Sequence, residues 1–235
     1  MTKPVTDAHE AVAGIGDGAV VMTGGFGGAG IPIELTHALL DQGARGLTIV
    51  NNNGGTGRVG IAALIDAGRV EKVICSYPRT SDSRAFREKY LAGKIELELV
   101  PQGVLAERIR AGGAGIPAFF TSTGAGTELA AGKETRVING VPCVLEPWLR
   151  ADFAFVKAEV ADRYGNLTYR LTARNFGPIM CMAADCSIVQ VRKVVEPGGI
   201  DPEHVITPGI FVDRIALVPD PAQEEDLVAR GVAYP

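Results

Sequence analysis

Five glycines crowd the seven residues Gly24-Gly25-Phe26-Gly27-Gly28-Ala29-Gly30, between the apolar run Ala19-Val20-Val21-Met22 and Ile31-Pro32. A turn of this kind lets backbone amides approach a ligand closely above a strand end. At a helix start, those amides favour a phosphate, a carboxylate or a developing oxyanion. Pro32 suits the first helical turn. Asn51-Asn52-Asn53-Gly54-Gly55 is a second candidate, with three side-chain carboxamides where a turn requires none. Neutral amides donate hydrogen bonds to an oxyanion. Two further polar stretches, Ser76 to Ser83 with Arg79 inside it and Pro101-Gln102-Gly103, have the same character. A nucleophile is missing: no Gly-x-Ser-x-Gly, Gly-Lys-Ser/Thr or His-Glu-x-x-His pattern occurs. None of the three histidines falls at a predicted strand end. These residues describe oxyanion donors without a base, which is half of a site.

The elements that must position them alternate. Asp7-Ala8-His9-Glu10 has the form of a capping box and predicts a helix to about Gly14 with His9 at the surface. Apolar spacing predicts a helix over 31–40, ended by Gly43, with His37 on its polar face. Strands at 47–50, 73–75 and 95–100 and helices at 59–67, 83–91 and from near Val104 to Gly112-Gly113 continue the pattern. Repeated strand-helix units imply a parallel sheet, and ligands of such sheets bind outside the carboxyl ends of the strands. That rule selects the four segments above. From Phe119 the chain becomes mixed. Arg136-Val137-Ile138, Asn139-Gly140 and Val141 to Leu145 predict a hairpin, and Pro142 argues for an edge strand. Further strands are expected at 153–156 and 186–191, around an apolar helix at 178–184. The expectation is an α/β fold, a three-layer open and mostly parallel sheet with flanking helices, a mixed C-terminal half and a β-hairpin. It is read as one domain over 1–235, with a loosely packed acidic tail at 220–235.

At 46% hydrophobic residues the chain can bury a substantial core, and 30 glycines suit many short turns. A formal charge of −4 argues against a nucleic-acid partner. No apolar leader or run of roughly 18 residues occurs, so a cytoplasmic protein without a membrane span is expected. Cys75, Cys143, Cys181 and Cys186 form no pair of metal-ligand spacing; they are expected to be reduced core residues, with no metal site.

Gly25-Phe26-Gly27-Gly28-Ala29-Gly30 also satisfies Gly-x-Gly-x-x-Gly, the fingerprint of a nicotinamide dinucleotide site. That site needs a carboxylate near the end of the second strand, where this chain has Asn51, Asn52 and Asn53. Asp17-Gly18 with Gly24 to Pro32 resembles instead the signature of the A subunit of family I coenzyme A transferases, with Thr23 replacing the apolar residue usual before the paired glycines. The resemblance extends through Asn52-Asn53-Gly54-Gly55, the stretch from Pro101 to Gly115, and Ala173-Arg174-Asn175-Phe176. It spans about residues 8 to 218. Ser76 to Ser83 and Ile206 to Val212 are similar to the branch acting on 3-oxoadipate. Ala125 departs from the tyrosine that relatives often carry.

The resemblance implies CoA transfer from succinyl-CoA to a 3-oxoacid, with 3-oxoadipate favoured over acetoacetate, and a CoA thioester as substrate rather than a resident cofactor. It implies a glutamyl-CoA intermediate on a glutamate of Ser-Glu-Asn-Gly, a tetrapeptide absent here, and hence a B subunit in an A2B2 assembly. It maps the oxyanion-stabilising amides onto Asn52 and Gln102. The substrate-binding set is then Gly24, Gly25, Phe26, Gly27, Gly28, Gly30, Asn53 and Arg79, with the Arg79 guanidinium suited to a second substrate carboxylate. The alternatives of another class are a nucleotide-binding oxidoreductase domain and a non-catalytic assembly subunit.

Overall fold

The computed structural model describes residues 2–234. Its first half alternates as the spacing predicts. Strand β1 (Val5–Thr6) leads to α1 (Ala8–Ala11), where the Asp7 cap accepts from the Glu10 amide at 2.8 Å. The helix ends at Ala11, short of the expected Gly14, because Ala13 and Ile15 bond back only three residues. Next come β2 (Val20–Thr23), α2 (Ile33–Gln42), β3 (Leu47–Val50), α3 (Gly60–Asp66), β4 (Val70–Cys75), α4 (Arg84–Leu91), β5 (Glu96–Leu99) and α5 (Gln102–Ala114). Gly43 stops α2 at φ +99°, its N–H returned to the Leu39 carbonyl. The second half holds β6 (Ala118–Thr121), β7 (Thr135–Ile138), β8 (Val141–Pro147), β9 (Ala151–Asp162), β10 (Leu167–Thr168), α6 (Gly177–Ala183), β11 (Ala184–Val195), β12 (Arg214–Leu217) and α7 (Glu224–Ala229).

Among the described residues, nine strands form the main sheet, in the order β1-β12-β11-β9-β2-β3-β4-β5, with β10 added to β9. Every pair along that order is parallel; only β10 is antiparallel to its neighbour. Side-chain alternation fills two cores. Val21, Ile49 and Val73 lie level across three strands and pack with Leu35, Leu39, Leu64 and Phe86 on one face. Their successors Met22, Val50 and Ile74 pack with Leu105, Ile109, Met180 and Cys181 on the other. Period-two burial on both faces, each covered by helices, makes the three layers. Strand order turns at β2, whose neighbours are β3 on one side and β9 on the other, so the crevice expected of such sheets opens above β2.

A separate antiparallel sheet has the order β6-β8-β7. Asn139 and Gly140 take φ +50° and +79°, the conformation a two-residue hairpin requires. Pro142 corrects the edge-strand expectation, since β8 is the central strand. Ile138 and Val141 flank the turn, so Val137–Pro142 is the next, non-hydrogen-bonded pair of the hairpin. On its other side β8 meets β6 only from Val144 to Pro147. The missing proline N–H therefore costs no ladder bond. Strands β9 and β11 run 12 residues each, longer than their apolar segments suggest. Their pairing continues to Asp162–Val195 past charged positions such as Lys157 and Lys193; along it Ala158 and Ala161 of β9 stay buried, while Arg192 and Lys193 of β11 are exposed.

The tail is a second correction. Acidic composition predicts loose packing after Pro219, but the segment is pinned across the molecule. Glu34 accepts from the Ala222 amide at 2.6 Å, Lys157 donates to the Ala222 carbonyl at 3.1 Å, and Tyr234 donates to Asp41 at 2.8 Å. This covers His37, which is buried rather than on a polar face. Its Nε2 accepts the Gly60 N–H at 2.9 Å and its ring stacks on Tyr234 at 3.7 Å. Burial lowers its pKa to about 4, against a smaller raising effect of Asp41. Of the described residues, no helix is long and apolar enough to cross a membrane.

A histidine buried neutral loses its stabilising contribution as pH falls, because the unfolded chain takes up a proton near pH 6.5 that the folded chain refuses until about pH 4. His37→Gln keeps an acceptor for Gly60. Between pH 6.5 and 4 the parent should lose about 1–2 kcal/mol more stability than this variant, a few degrees of Tm. Thermal unfolding of both across that range checks it, and parallel Tm curves would contradict it.

Candidate active site

The carboxyl ends of β2, β3, β4 and β5 bring the four candidate segments around one cavity of about 580 Å³. Phe26, Gly27 and Gly28 come from the glycine turn, Asn52 and Asn53 from the end of β3, and Tyr77 and Arg79 from the end of β4. Gln102 follows β5. Of the expected residues, Gly24, Gly25 and Gly30 do not line the cavity; they shape the turn from below. A side chain at Gly25, where φ is +130°, would place its Cβ 2.1 Å from Ile31 Cδ1. One at Gly30, φ +79°, would stand 2.4 Å from the Ala173 carbonyl oxygen. The turn is therefore closed by contacts only glycine permits.

Two carboxamides hold the turn. Asn175 accepts from the Gly25 amide at 3.0 Å and donates to the Ala29 carbonyl at 3.0 Å, bridging both ends of the turn. Asn51, fully buried, donates to the Thr23 and Gly24 carbonyls at 2.6 and 3.3 Å, tying the end of β3 to the end of β2. That use of Asn51 counts against a dinucleotide site, because the position of the ribose-binding carboxylate holds a structural amide. Asn53 shapes the following backbone through Oδ1, which accepts from the Gly55 amide at 2.8 Å, while its Nδ2 has no partner among the described residues and the residue lines the cavity. Asn175 was visible in the sequence only as part of a family-like segment, and Asn51 only as a member of an unexplained trio.

Asn52 differs. Its Oδ1 accepts from Ser76 Oγ at 2.7 Å and from Gln102 Nε2 at 2.8 Å. The Asn52 Nδ2 hydrogens and the second Gln102 Nε2 hydrogen have no partner among the described residues, and both residues line the cavity. Paired free N–H groups set by a third hydrogen bond can stabilise negative charge on a reacting oxygen. Gln102 is the first residue of α5 and not part of a preceding loop, so its backbone is fixed by the helix. The helix is anchored in turn by buried Arg108, which donates to Glu98 at 2.7 Å and to the Pro147 carbonyl at 2.9 Å. Burial alone would raise Glu98, but hydrogen bonds from Arg108 and Lys72 hold it below the ordinary carboxylate range.

Arg79 is exposed at the cavity rim. Asp82, its nearest acidic neighbour in sequence, is engaged by Arg84 through Nε at 2.9 Å and Nη2 at 2.8 Å. Arg79 itself has no ion pair among the described residues. The cavity also has a wall the sequence did not foretell: Glu224, Glu225, Val228 and Ala229 of the tail. Glu224 is 3% exposed, and burial, with Glu225 beside it, pushes its carboxyl up to about 7. The cysteines are free thiols; burial pushes Cys75 and Cys181 up to about 12. Among the described residues, no cluster of three or more histidine, cysteine, aspartate or glutamate side chains could hold a metal ion.

A family model described as coenzyme A transferase matches residues 5–217. The chain is 62% identical over 218 residues to the A subunit of 3-oxoadipate CoA-transferase from Pseudomonas putida, covering 93% of this chain and 94% of that one. It is 48% identical over 232 residues to the A subunit of succinyl-CoA:3-ketoacid coenzyme A transferase from Xanthomonas campestris pv. campestris, covering 97% and 95%. Among solved structures it superposes with a TM-score of 0.82 on an acyl-CoA transferase of Escherichia coli O157:H7 in a thioester complex with CoA, at 26% identity. That match covers 94% of this chain and 50% of the other, so this chain spans half the length of the E. coli protein.

If Asn175 holds the turn, Asn175→Ala should lower stability by about 2–3 kcal/mol, since it strands the Gly25 and Phe176 amides together. Chemical denaturation should register that loss, and a variant within 0.5 kcal/mol of the parent, on the order of an ordinary surface change, would show that the turn holds without it.

Proposed function

The chain belongs to the coenzyme A transferase family, and on that premise we propose that it is the A subunit of a cytoplasmic 3-oxoadipate CoA-transferase, paired with a B subunit in an A2B2 assembly. The observation that carries this reading is the Asn52–Gln102 pair, two carboxamides bonded to each other at the cavity with N–H groups left over. They supply electrophilic assistance, and the attacking glutamate comes from the Ser-Glu-Asn-Gly segment of the partner.

In the forward half-reaction that glutamate attacks the thioester carbonyl of succinyl-CoA. Negative charge collects on the carbonyl oxygen and is met by Asn52 Nδ2–H and Gln102 Nε2–H. Collapse expels the CoA thiolate and leaves a mixed anhydride. The thiolate then attacks the glutamyl carbonyl, succinate departs as a carboxylate, and the glutamate holds CoA as a thioester. The 3-oxoacid carboxylate reverses these steps and leaves as its CoA ester. No proton is consumed, which agrees with a site built from neutral amides, and dividing the exchange keeps the thioester energy. Water must be excluded, so a partner face has to close the cavity from above.

Arg79 accounts for the choice of acceptor. A free guanidinium at the rim binds a carboxylate bidentately, and 3-oxoadipate carries a distal carboxylate that acetoacetate lacks. The engagement of Asp82 by Arg84 supports this use.

The purified chain alone should show no transferase activity, and activity should rise on titration with the B subunit to saturation at equal numbers of the two. Robust turnover by the chain alone would sink the half-site reading. In the assembled enzyme, Asn52→Ala or Gln102→Ala should lower kcat roughly 10²–10³-fold with little change in KM; near-full kcat in both variants would reduce these amides to turn residues.

Arg79→Ala should cut kcat/KM for 3-oxoadipate roughly thirty- to a hundredfold, with acetoacetate turnover changing little. Steady-state assays on both acids decide it, and an equal loss on both would place dicarboxylate recognition elsewhere.

A further inference from the structure

Helix α7 lies beyond residue 217, where the family model ends, and it forms one wall of the cavity. It sits directly on the glycine turn: a Cβ at Gly28 would stand 2.6 Å from Glu225 Cγ. Val228 packs on the segment that follows the Asn-Gly loop, 3.0 Å from where a Gly57 Cβ would be. The tethers through Glu34, Lys157 and Tyr234 flank α7 on both sides in sequence, so its position over the cavity is built in rather than incidental.

Glu224 is the unusual residue. It is almost fully buried, it faces the cavity, and no N–H or O–H group of the described residues donates to its carboxylate. A buried carboxylate without donors is costly, and native structures keep such groups where a ligand or proton satisfies them. The protein's own answer is a proton, since burial brings its pKa to about 7. Other lining residues of the same cavity have the opposite deficit. Asn52, Gln102 and Arg79 offer donors without acceptors. A CoA thioester matches that asymmetry: its acyl end is a carbonyl with a carboxylate beyond it, all acceptors, and its pantetheine arm carries two amide N–H groups and a hydroxyl. Val228 and Ala229 flank Glu224 with apolar surface for the methylene segments between those groups.

We propose that α7 is the wall that receives the arm of the thioester substrate, and that Glu224 is a binding residue accepting hydrogen bonds from the second amide N–H or the hydroxyl, the groups the arm carries beyond its cysteamine amide. This rests on the transferase reading above. It gives the tail a purpose in substrate recognition, separate from the amides that stabilise charge at the thioester.

The test uses this chain assembled with the B subunit, together with two acyl donors: succinyl-CoA, and a succinyl thioester of N-acetylcysteamine, which lacks most of the arm. Glu224→Ala should raise KM for succinyl-CoA roughly tenfold while kcat falls less than twofold, and KM for the short donor should change less than twofold. Glu224→Gln, which retains an acceptor oxygen, should recover most of the loss. Should Glu224→Ala fail to fold, Glu224→Gln compared with Glu224→Met carries the same comparison. An equal KM increase on both donors, or an unchanged KM for succinyl-CoA, would overturn the assignment. So would a variant of lower KM, which would mean that α7 obstructs the site. A parent complex inactive on both donors would refute the transferase reading itself, a result distinct from all of these.

Discussion

The site depends on one buried carboxamide reaching between two strand ends. Asn51 spans from β3 to the last carbonyls of β2, at 2.6 and 3.3 Å, and leaves its neighbour Asn52 facing the cavity. Parallel strands bring their carboxyl ends side by side at a spacing of about 4.8 Å, but the loops that follow share no ladder to fix them. Here the fixing is done by side-chain amides. Asn51 joins β2 to β3, Asn52 joins β3 to β4 through Ser76 and to α5 through Gln102, and Asn175 clamps the glycine turn from the far half of the chain. The three consecutive asparagines thus divide the work: Asn51 ties two strand ends together, Asn53 shapes the backbone through its oxygen, and Asn52 is bonded through its oxygen to two side chains, its Nδ2 hydrogens left without a partner at the cavity. Donors held in place before charge develops lose little to reorganisation, which is what makes neutral amides effective in a closed site.

Much of this was legible from the chain. Glycine density after an apolar run located the turn, the alternation of apolar segments with helix signals pointed to a parallel sheet, and the rule on strand ends selected the segments that hold Asn52, Arg79 and Gln102, while the family resemblance singled out those residues within them. What the sequence concealed is informative about why. His37 looks polar-faced by helical spacing, because periodicity reads only contacts within the main body; the tail that buries it is far away in sequence. Pro142 argues for an edge strand, yet a central strand tolerates it where the hairpin pair needs no N–H and the other neighbour has not begun. The reach of β9 and β11 past Lys157 and Lys193 was hidden because charged residues interrupt the apolar runs there, although Ala158 and Ala161 carry the buried face on. The clamping role of Asn175 has no local signature, since Gly25 and Ala29, the turn residues it bonds, are about 150 positions earlier.

The tail shows the same lesson in reverse. Its acidic first turn reads as solvated, and most of it is, but Glu224 is turned inward and the segment is held by an exchange of hydrogen bonds with Glu34 and Lys157. Burial lowers the Lys157 pKa and raises that of Glu224. Lys157 is desolvated where it helps to hold the tail in place, and Glu224 where the tail forms a wall of the cavity. Glu224 also sharpens the question of the nucleophile, because it is a glutamate of this chain lining the very cavity where a partner's glutamate is assigned that role.

Locating the covalent intermediate separates the two. The assembled enzyme, incubated with succinyl-CoA without acceptor, should accumulate a glutamyl-CoA thioester that borohydride reduction converts into a stable mark for peptide mass spectrometry. The mark is expected on the Ser-Glu-Asn-Gly glutamate of the B subunit, with none on this chain. A mark on Glu224 or Glu225 would contradict that division of labour, and would make this chain the carrier of the nucleophile rather than of the amides that assist it.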